Sequence, residues 1–389
     1  MDFEFSPEQE QFREEVRAFI RSSMDAELER EIQEHPAKGP GPRLRSLFRE
    51  MGERGWLSVS WPREYGGQER PVSYLYILTS ETEYHAIPLP TVALQMVGPT
   101  LMKVGSEEQK REFLPVIMRG GIEFALGYTE PNAGSDLASL STSAVRDGDD
   151  YVINGQKMFT THAHYATHLW IATRTDPEVP KHRGISLFIV PMDTPGITVR
   201  PLWTMSGERT NEVFLDDVRI PRRNLVGEEN QGWYYMAMAL DYERASSASP
   251  APIERVLDDL IRFVRETSFN GKPLAQDPFV RAWLAEIATS IHISRLFSNK
   301  LVWMMEHGLV PNAEASMTKI WFTEVRQRLY HLGTQIVGVY GQLQPGSPWA
   351  PLAGEMERLY RDGPRRRFTA GTNEIQRNII AQRGLGLPR

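Results

Sequence analysis

Glu243, in the string Leu240-Asp241-Tyr242-Glu243-Arg244, puts a carboxylate on a stretch of helical periodicity. A carboxylate held in a closed pocket can take a proton from carbon; on an open helix face the same side chain is a solvated glutamate paired with a neighbouring arginine. The string Tyr128-Thr129-Glu130-Pro131-Asn132-Ala133-Gly134-Ser135-Asp136 suggests a second chemistry. Its small residues and hydroxyls let backbone N–H groups approach a phosphate or a flat ring, although a surface loop with a Gly-Ser turn has the same composition. His162, His164 and His168 resemble a metal cluster, but no carboxylate stands at ligand spacing, so they read as structural or substrate-lining. Arg365-Arg366-Arg367 can meet a phosphate and reads more simply as a solvated or interface patch. The chain has no cysteine, which excludes disulfides, thiolate nucleophiles and Cys-ligated zinc and fits a reducing compartment.

The loop does not stand alone. It is followed by Asn154-Gly155-Gln156-Lys157-Met158-Phe159-Thr160-Thr161 and, far downstream, by Ala370-Gly371-Thr372-Asn373-Glu374-Ile375-Gln376-Arg377. Between them and before them lie Gly105-Ser106-Glu107-Glu108-Gln109-Lys110 with Leu114-Pro115, and Phe214-Leu215-Asp216-Asp217-Val218-Arg219-Ile220-Pro221. In this order, over nearly the whole length, the strings resemble the acyl-CoA dehydrogenase family. The resemblance implies a helical N-terminal domain, an antiparallel, barrel-like middle β domain and a C-terminal four-helix bundle that also builds the oligomer. It also implies FAD between the β domain and the bundle, with Tyr128 and Thr129 at the isoalloxazine, Ser135 at the pyrophosphate, and Phe159 and Thr161 at the ring face and N5 edge. Phe159 stands where the family has tryptophan, so an aromatic plane is kept. Arg265, Phe269 and Gln335 would reach the adenosine half of FAD in a neighbouring subunit, with Thr372 close by. Here the chain departs from the family: Arg265-Glu266-Thr267-Ser268-Phe269-Asn270-Gly271-Lys272 is longer than its Arg-x-x-Phe-Gly, and Gly338-Val339-Tyr340-Gly341 lacks one glycine.

The α proton of a thioester is very weakly acidic, so its removal needs a positioned carboxylate and donors on the carbonyl oxygen. The family's commonest form carries that carboxylate in Tyr-Glu-Gly-Thr, whereas this chain has Thr369-Ala370-Gly371-Thr372. Isovaleryl-type and long-chain members place it on a bundle helix in a string like Leu-Asp-x-Glu-Arg, and the resemblance therefore makes Glu243 the base, with Arg244 beside it. The N–H of Ala370 and a ribityl hydroxyl would hold the thioester oxygen, and burial should raise the Glu243 pKa toward neutrality. Ala370 and the small residues Ala245 to Ser249 leave room for a bulky or branched acyl group. Similar actinobacterial-type members act on steroid side-chain thioesters, some as heteromers. The implied partners are an acyl-CoA, an electron-transfer flavoprotein as acceptor, and copies of this or a related chain in a homo- or heterotetramer. Two other readings stay open: an oxygen-reactive oxidase or monooxygenase of the same fold, and a catalytically silent partner subunit.

Positioning these groups requires three blocks, expected at 1–122, 123–229 and 230–389. The first reads as helical, opening at Ser6-Pro7-Glu8-Gln9, a cap, a first-turn proline and a capping-box partner, with Phe12, Val16, Phe19 and Ile20 on one face. Leu44–Arg54, Tyr74–His85 and Glu107–Arg119 continue it. Short β-prone runs follow at Ser141–Arg146, Tyr151–Phe159, His168–Thr173, Ile185–Val190, Ile197–Pro201 and Val213–Ile220, with Asp147-Gly148-Asp149-Asp150 and Asn154-Gly155 as hairpin turns. Helical periodicity returns after Gly232, broken by Pro250 and Pro252, capped again at Asp277-Pro278, stopped at Gly308, and striped by Val325, Leu329, Leu332 and Ile336. With 44 basic and 50 acidic residues the net charge is -6, which offers no positive field to nucleic acid or anionic lipid, and no apolar run is long enough to span a membrane. A cytoplasmic protein acting on small metabolites is the expectation.

Overall fold

The computed structural model describes residues 3–246 and 249–388, with 241–246 as helical backbone alone. Ser6 opens α1 (Pro7–Ser23) as expected: its hydroxyl accepts the Gln9 N–H and Gln9 Oε1 accepts the Ser6 N–H, so two otherwise orphaned donors are satisfied reciprocally. Phe12, Val16, Phe19 and Ile20 are all buried. The remaining helices of this block are α2 (Ala26–Lys38), α3 (Pro42–Glu53), α4 (Val72–Tyr84), α5 (Gly98–Val104) and α6 (Glu107–Met118). Helix α2 has only two spaced aliphatics, Leu28 and Ile32, before Pro36, too few for a stripe that periodicity would reveal. Its Glu31 carboxylate accepts the N–H groups of Arg43 and Leu44, and so caps the helix that follows.

The middle block supplies β1 (Phe124–Gly127), β2 (Ser143–Asp147), β3 (Asp150–Lys157), β4 (His168–Arg174), β5 (Ile185–Pro191), β6 (Ile197–Trp203), β7 (Arg209–Pro221) and β8 (Leu225–Val226). They form one sheet in the order β6-β7-β3-β2-β4-β5-β8, with β1 beside β4. The expected antiparallel, barrel-like arrangement is corrected: the path does not close, and β4 pairs parallel with both β1 and β2. The parallel start is fixed by Glu123, whose carbonyl accepts the N–H groups of both Thr167 and His168, so β1 and β4 leave the same edge together.

Asp147 to Asp150 makes the expected tight turn, but Asn154-Gly155 does not turn the chain. Ile153 pairs with Val218 and Gly155 with Leu215, so a two-residue step along β3 faces a three-residue step along β7, and the extra residue is absorbed at Asp216-Asp217. Asn154 holds this bulge, accepting the Asp217 N–H at 2.8 Å and donating to the Asp217 carboxylate at 3.0 Å. Gly155, at φ +149°, passes so close to β2 that a Cβ would lie 2.7 Å from Thr142 Cα.

The C-terminal block comprises α7 (Gly232–Ser246), α8 (Ala251–Glu266), the small hairpin β9 (Ser268–Phe269) and β10 (Lys272–Pro273), α9 (Pro278–Glu306), α10 (Asn312–Val337), α11 (Glu355–Arg366) and α12 (Asn373–Ile379). Pro250 and Pro252 fall at the break between α7 and α8, and Asp277 caps α9 through the N–H groups of Phe279 and Val280. Helices α8 to α11 share a core that includes Ile253, Leu260, Ile287, Val325, Leu329 and Leu359. Helix α7 stands apart. Its Met236 and Ala239 pack into the N-terminal core together with Trp170, Leu187 and Ile189 from one face of the sheet, while Leu169, Ile171, Phe188 and Val190 face the other way into a core of the sheet's own. Among the described residues no helix is long and apolar enough to cross a membrane.

The bulge geometry gives a direct check. Gly148 and Gly155 both have positive φ, yet nothing lies within 4 Å of a Cβ on Gly148. Gly155→Ala should lower stability by about 1–3 kcal/mol more than Gly148→Ala, because only the former adds overpacking to backbone strain. Urea denaturation midpoints of the two variants measure the difference.

Candidate active site

Lys157 ends β3 with its side chain fully buried, and burying an ammonium requires a partner. The partner is Glu130, 2.7 Å away, in the loop after β1. The Glu130 carboxylate is also the acceptor for the Ser141 N–H at 2.6 Å, the Ser141 hydroxyl at 2.9 Å and the Thr142 N–H at 2.9 Å. Lys157 donates a further bond to the Tyr128 carbonyl, and the Met158 N–H bonds to the Thr129 carbonyl at 2.8 Å. The loop is closed on itself by reciprocal bonds between Glu130 and Ala133. Burial works against ionisation of Glu130, but Lys157 and the donors of Thr142 and Ser141 outweigh it and hold the carboxyl down to about 2. The same burial draws Lys157 down to about 8 against the pull of Glu130, so at neutral pH both stay charged.

This anchor fixes two stretches side by side. On the first, Gly134 and Ser135 are exposed, with open space where a Gly134 side chain would be. Thr129 is half-buried, whereas the Tyr128 ring is committed to the core, its hydroxyl accepting from Trp170 Nε1 at 2.9 Å. Any contact of Tyr128 with a ligand above the loop is therefore left to its backbone. On the second stretch, Phe159 adopts φ +55° and is 55 % exposed, with exposed Thr161 next on the rim and its hydroxyl 3.2 Å from that of Thr210. The hydroxyl of Thr160 between them is buried and has no hydrogen-bond partner among the described residues. The left-handed backbone carries a steric cost that the surrounding bonds must hold, and it leaves the Phe159 ring open to a flat partner. Together with the small, exposed Gly134-Ser135, these residues fit a planar ring system with a phosphate tail, which is the chemistry of a flavin dinucleotide.

The histidines separate. His168 packs edge-on against Phe113 and tilted against Phe124, whereas His162 and His164 join Tyr165 and His35 from α2 in one aromatic cluster. Burial keeps His35 and His162 neutral, pushed down to about 4 and about 3. The stretch that carries them joins β3 to β4, which are not neighbours in the sheet because β2 lies between them. Among the described residues no group of three His, Asp or Glu is placed to hold a metal ion. His35 was out of reach for motif reading, since it is far from His162 in sequence and in a helix without an apolar stripe.

Ala370, in the loop between α11 and α12, has φ +52° and is exposed, and Gly371 follows at φ +83°. Gln376, fully buried, holds the loop by donating to the Ala370 carbonyl at 3.1 Å. Lys319 on α10 braces the same loop through the Arg367 carbonyl and Asn373. Thr372 caps α12, its hydroxyl accepting the Ile375 N–H. The Arg365-Arg366-Arg367 run, read as a solvated or interface patch, is partly exposed and in part tied down within the chain. Arg365 and Arg366 both grip Asp362, which is buried, and Arg365 reaches Glu208 on the β6–β7 connection. Arg265 and Gln335 are exposed, as is Phe269, which sits on the β9–β10 hairpin. Asn270, which separates Phe269 from Gly271 in the lengthened segment, forms with that glycine a two-residue turn with φ +50° and +73°. Gln335 lines an open groove of about 690 Å³ with Gly338, Glu357, Tyr360 and Arg361. No hydrogen bond or ion pair among the described residues joins Arg265, Phe269 or Gln335 to the Phe159 loop. Glu243 and Arg244 lie on the last turns of α7, and their side chains fall outside the described residues.

The Glu130–Lys157 pair was not singled out in sequence, although a lysine at an inward-facing position of a buried strand is itself a request for a nearby acid. Lys157→Met leaves Glu130 buried and unpaired and should cost about 3–5 kcal/mol in urea unfolding, whereas Lys157→Met with Glu130→Leu should recover much of that loss. The pH dependence has a definite sign. The Glu130 carboxyl is depressed from 4.5 to about 2 on folding, so its contribution is complete above pH 4.5 and fades as the pH falls toward 2. In Glu130→Gln that acid limb of the stability profile should be absent.

The three parts of the chain match three family models: acyl-CoA dehydrogenase N-terminal domain over residues 6–121, middle domain over 125–218 and C-terminal domain over 230–385. Acyl-CoA dehydrogenase FadE26 of Mycobacterium tuberculosis is 39% identical over 398 residues, spanning 100% of this chain and 99% of its own. The mitochondrial long-chain specific acyl-CoA dehydrogenase of Sus scrofa is 32% identical over 97% of this chain and 86% of its own. Among solved structures, the Tcur3481-Tcur3483 steroid ACAD superposes with a TM-score of 0.92, and the ChsE4-ChsE5 complex from Mycobacterium tuberculosis with 0.91, each 40% identical with full coverage of both chains. Three family models matched in order, and a relative 39% identical from end to end, leave one conclusion: this protein belongs to the acyl-CoA dehydrogenase family of oxidoreductases.

Proposed function

We propose that the chain binds FAD and removes two hydrogens across the α and β carbons of an acyl-CoA thioester, with Glu243 as the base. The observation that carries the flavin is the exposed, left-handed Phe159, fixed beside the Thr129–Ser135 loop by the buried ion pair. FAD, when bound, supplies the acceptor for the β hydride at its N5. The chain's own residues do the rest. Phe159 backs the ring, Thr161 stands at the N5 edge, Thr129 borders the ring, and Ser135 with Gly134 leaves room for the pyrophosphate. The N–H of Ala370, an exposed residue at φ +52°, donates to the thioester oxygen and stabilises the enolate charge that develops as the α proton leaves. Glu243 receives that proton. Its support is the match of Leu240-Asp241-Tyr242-Glu243-Arg244 to the bundle-helix form of the base, and the absence of any carboxylate at Ala370. Arg244, its neighbour in the same string, is carried with it as part of the proposed catalytic set.

A bulky, branched or steroidal acyl group fits best with the alanine at 370 and with the steroid ACAD among the similar structures. Arg265, Phe269, Gln335 and Thr372 would serve the adenosine half of FAD across a subunit boundary, in a homotetramer or with a related chain. The exposure of Arg265, Phe269 and Gln335 supports this, as does the likeness to the ChsE4-ChsE5 complex. An electron-transfer flavoprotein is the proposed acceptor.

Anaerobic addition of branched or steroidal acyl-CoA to FAD-loaded protein should bleach the oxidised-flavin band faster than straight medium-chain acyl-CoA. Glu243→Gln should slow that bleaching by roughly 10²–10⁴-fold with the flavin still bound. Unchanged bleaching would remove Glu243 from the mechanism. No bleaching by any thioester in the wild-type chain would instead favour the silent partner subunit.

A further inference from the structure

The Phe159–Thr161 stretch is held from a side that no sequence motif indicates. Phe159 and His162 both have positive φ, at +55° and +72°, so two non-glycine residues in a span of four occupy the left-handed region. Such backbone persists only where its surroundings over-determine it. The determinant is Asn211 on β7, which is fully buried. Its carbonyl accepts the Thr160 N–H at 2.9 Å, and its side-chain Nδ2 donates to the Thr160 carbonyl at 3.0 Å. One residue therefore takes both backbone polar groups of Thr160, extending the β3–β7 ladder by a rung beyond the end of β3 at Lys157.

The orientation of that amide is fixed. Nδ2 also donates to His164 Nδ1 at 3.1 Å, and Oδ1 accepts from Arg209 Nε at 2.9 Å. With the amide turned over, its oxygen would face the Thr160 carbonyl and the imidazole acceptor, and its nitrogen would face the guanidinium. For His164 to accept at Nδ1 it must be neutral, and burial with the nearby Arg209 lowers its pKa in that direction. The neighbour of Asn211, Thr210, meets the Thr161 hydroxyl at 3.2 Å. Two consecutive residues of β7 thus set the backbone of Thr160 and the side chain of Thr161.

We infer that Asn211, backed by His164, is a positioning residue for the flavin: it fixes the plane of Phe159 and the reach of Thr161 without touching the ring. The inference rests on the reading of Phe159 and Thr161 as flavin contacts. An acceptor loop free to relax its two strained residues would still fold but would present no fixed face to a rigid three-ring ligand.

The test compares wild type, Asn211→Ala, His164→Ala and His164→Asn as FAD-loaded proteins, the last retaining an acceptor near the place of Nδ1. Three quantities are read: FAD dissociation, the midpoint potential and visible band shape of the bound flavin, and thermal unfolding of the apo-protein. Asn211→Ala should weaken FAD retention by roughly tenfold or more, and it should shift the band and the potential while the apo-protein still unfolds cooperatively. His164→Ala should show the same signature more weakly, and His164→Asn should restore it. If Asn211→Ala does not fold, the two His164 variants decide the matter on the same readouts. Wild-type FAD affinity, band and potential in Asn211→Ala, or in His164→Ala when that pair must decide, overturns the inference. Failure of the wild-type chain to bind FAD at all overturns the functional reading beneath it.

Discussion

A lysine with no exposed surface and a glutamate nearly as deep hold the candidate site in place. Desolvating both charges is expensive, and the attraction between them offsets it only with good geometry and additional hydrogen bonds. Here the additional bonds are present: the carboxylate collects the N–H groups of Ser141 and Thr142 and the Ser141 hydroxyl, and the ammonium collects the Tyr128 carbonyl. The pair is therefore weak evidence for stability and strong evidence for specification. Together with the Met158 N–H bond to the Thr129 carbonyl, it fixes where the loop after β1 lies relative to the end of β3.

The same logic extends outward in layers. The sheet has two apolar faces, one turned to its own small core and one to the N-terminal helices and α7. Helix α7, C-terminal in sequence, is thus seated by the sheet and the first block, and its packing sets where the Glu243 backbone lies. On the far side, α11 is tied to the β6–β7 connection through Arg365 and Glu208, and the loop it feeds into holds Ala370 in its left-handed conformation. Elements distant in sequence converge because α7 packs on the sheet and α11 is tied by an ion pair to the connection between two of its strands.

Much of the architecture was legible. The Ser6 capping box, the Asp277 cap and the Pro250–Pro252 break act over four residues or fewer, so their physics is local and the string carries it. Helix α2 was not legible, because its stability comes from caps and from docking and not from an amphipathic stripe. Asn154-Gly155 misled for a related reason. A dipeptide that favours a hairpin in isolation was overridden by pairing with β7, where the extra residue falls at Asp216-Asp217 and the glycine is needed for a close approach to Thr142. The histidines and the arginine run show the same limit from the side of the site: their partners, His35, Asp362 and Glu208, are fixed by packing across elements.

By itself the sequence determined the three-block order, the helix boundaries with local caps, the absence of thiol chemistry, and a set of strings whose order points to one family. Tertiary structure alone decided that the sheet is open and mixed, that Tyr128 turns its ring inward, that α7 docks on the first core, that Glu130 and Lys157 pair, and that Asn211 holds the Thr160 backbone. The division follows from range. Capping, turn propensity and periodicity depend on neighbours along the chain, whereas the desolvation of a charge or the satisfaction of a buried amide depends on which distant segment arrives beside it.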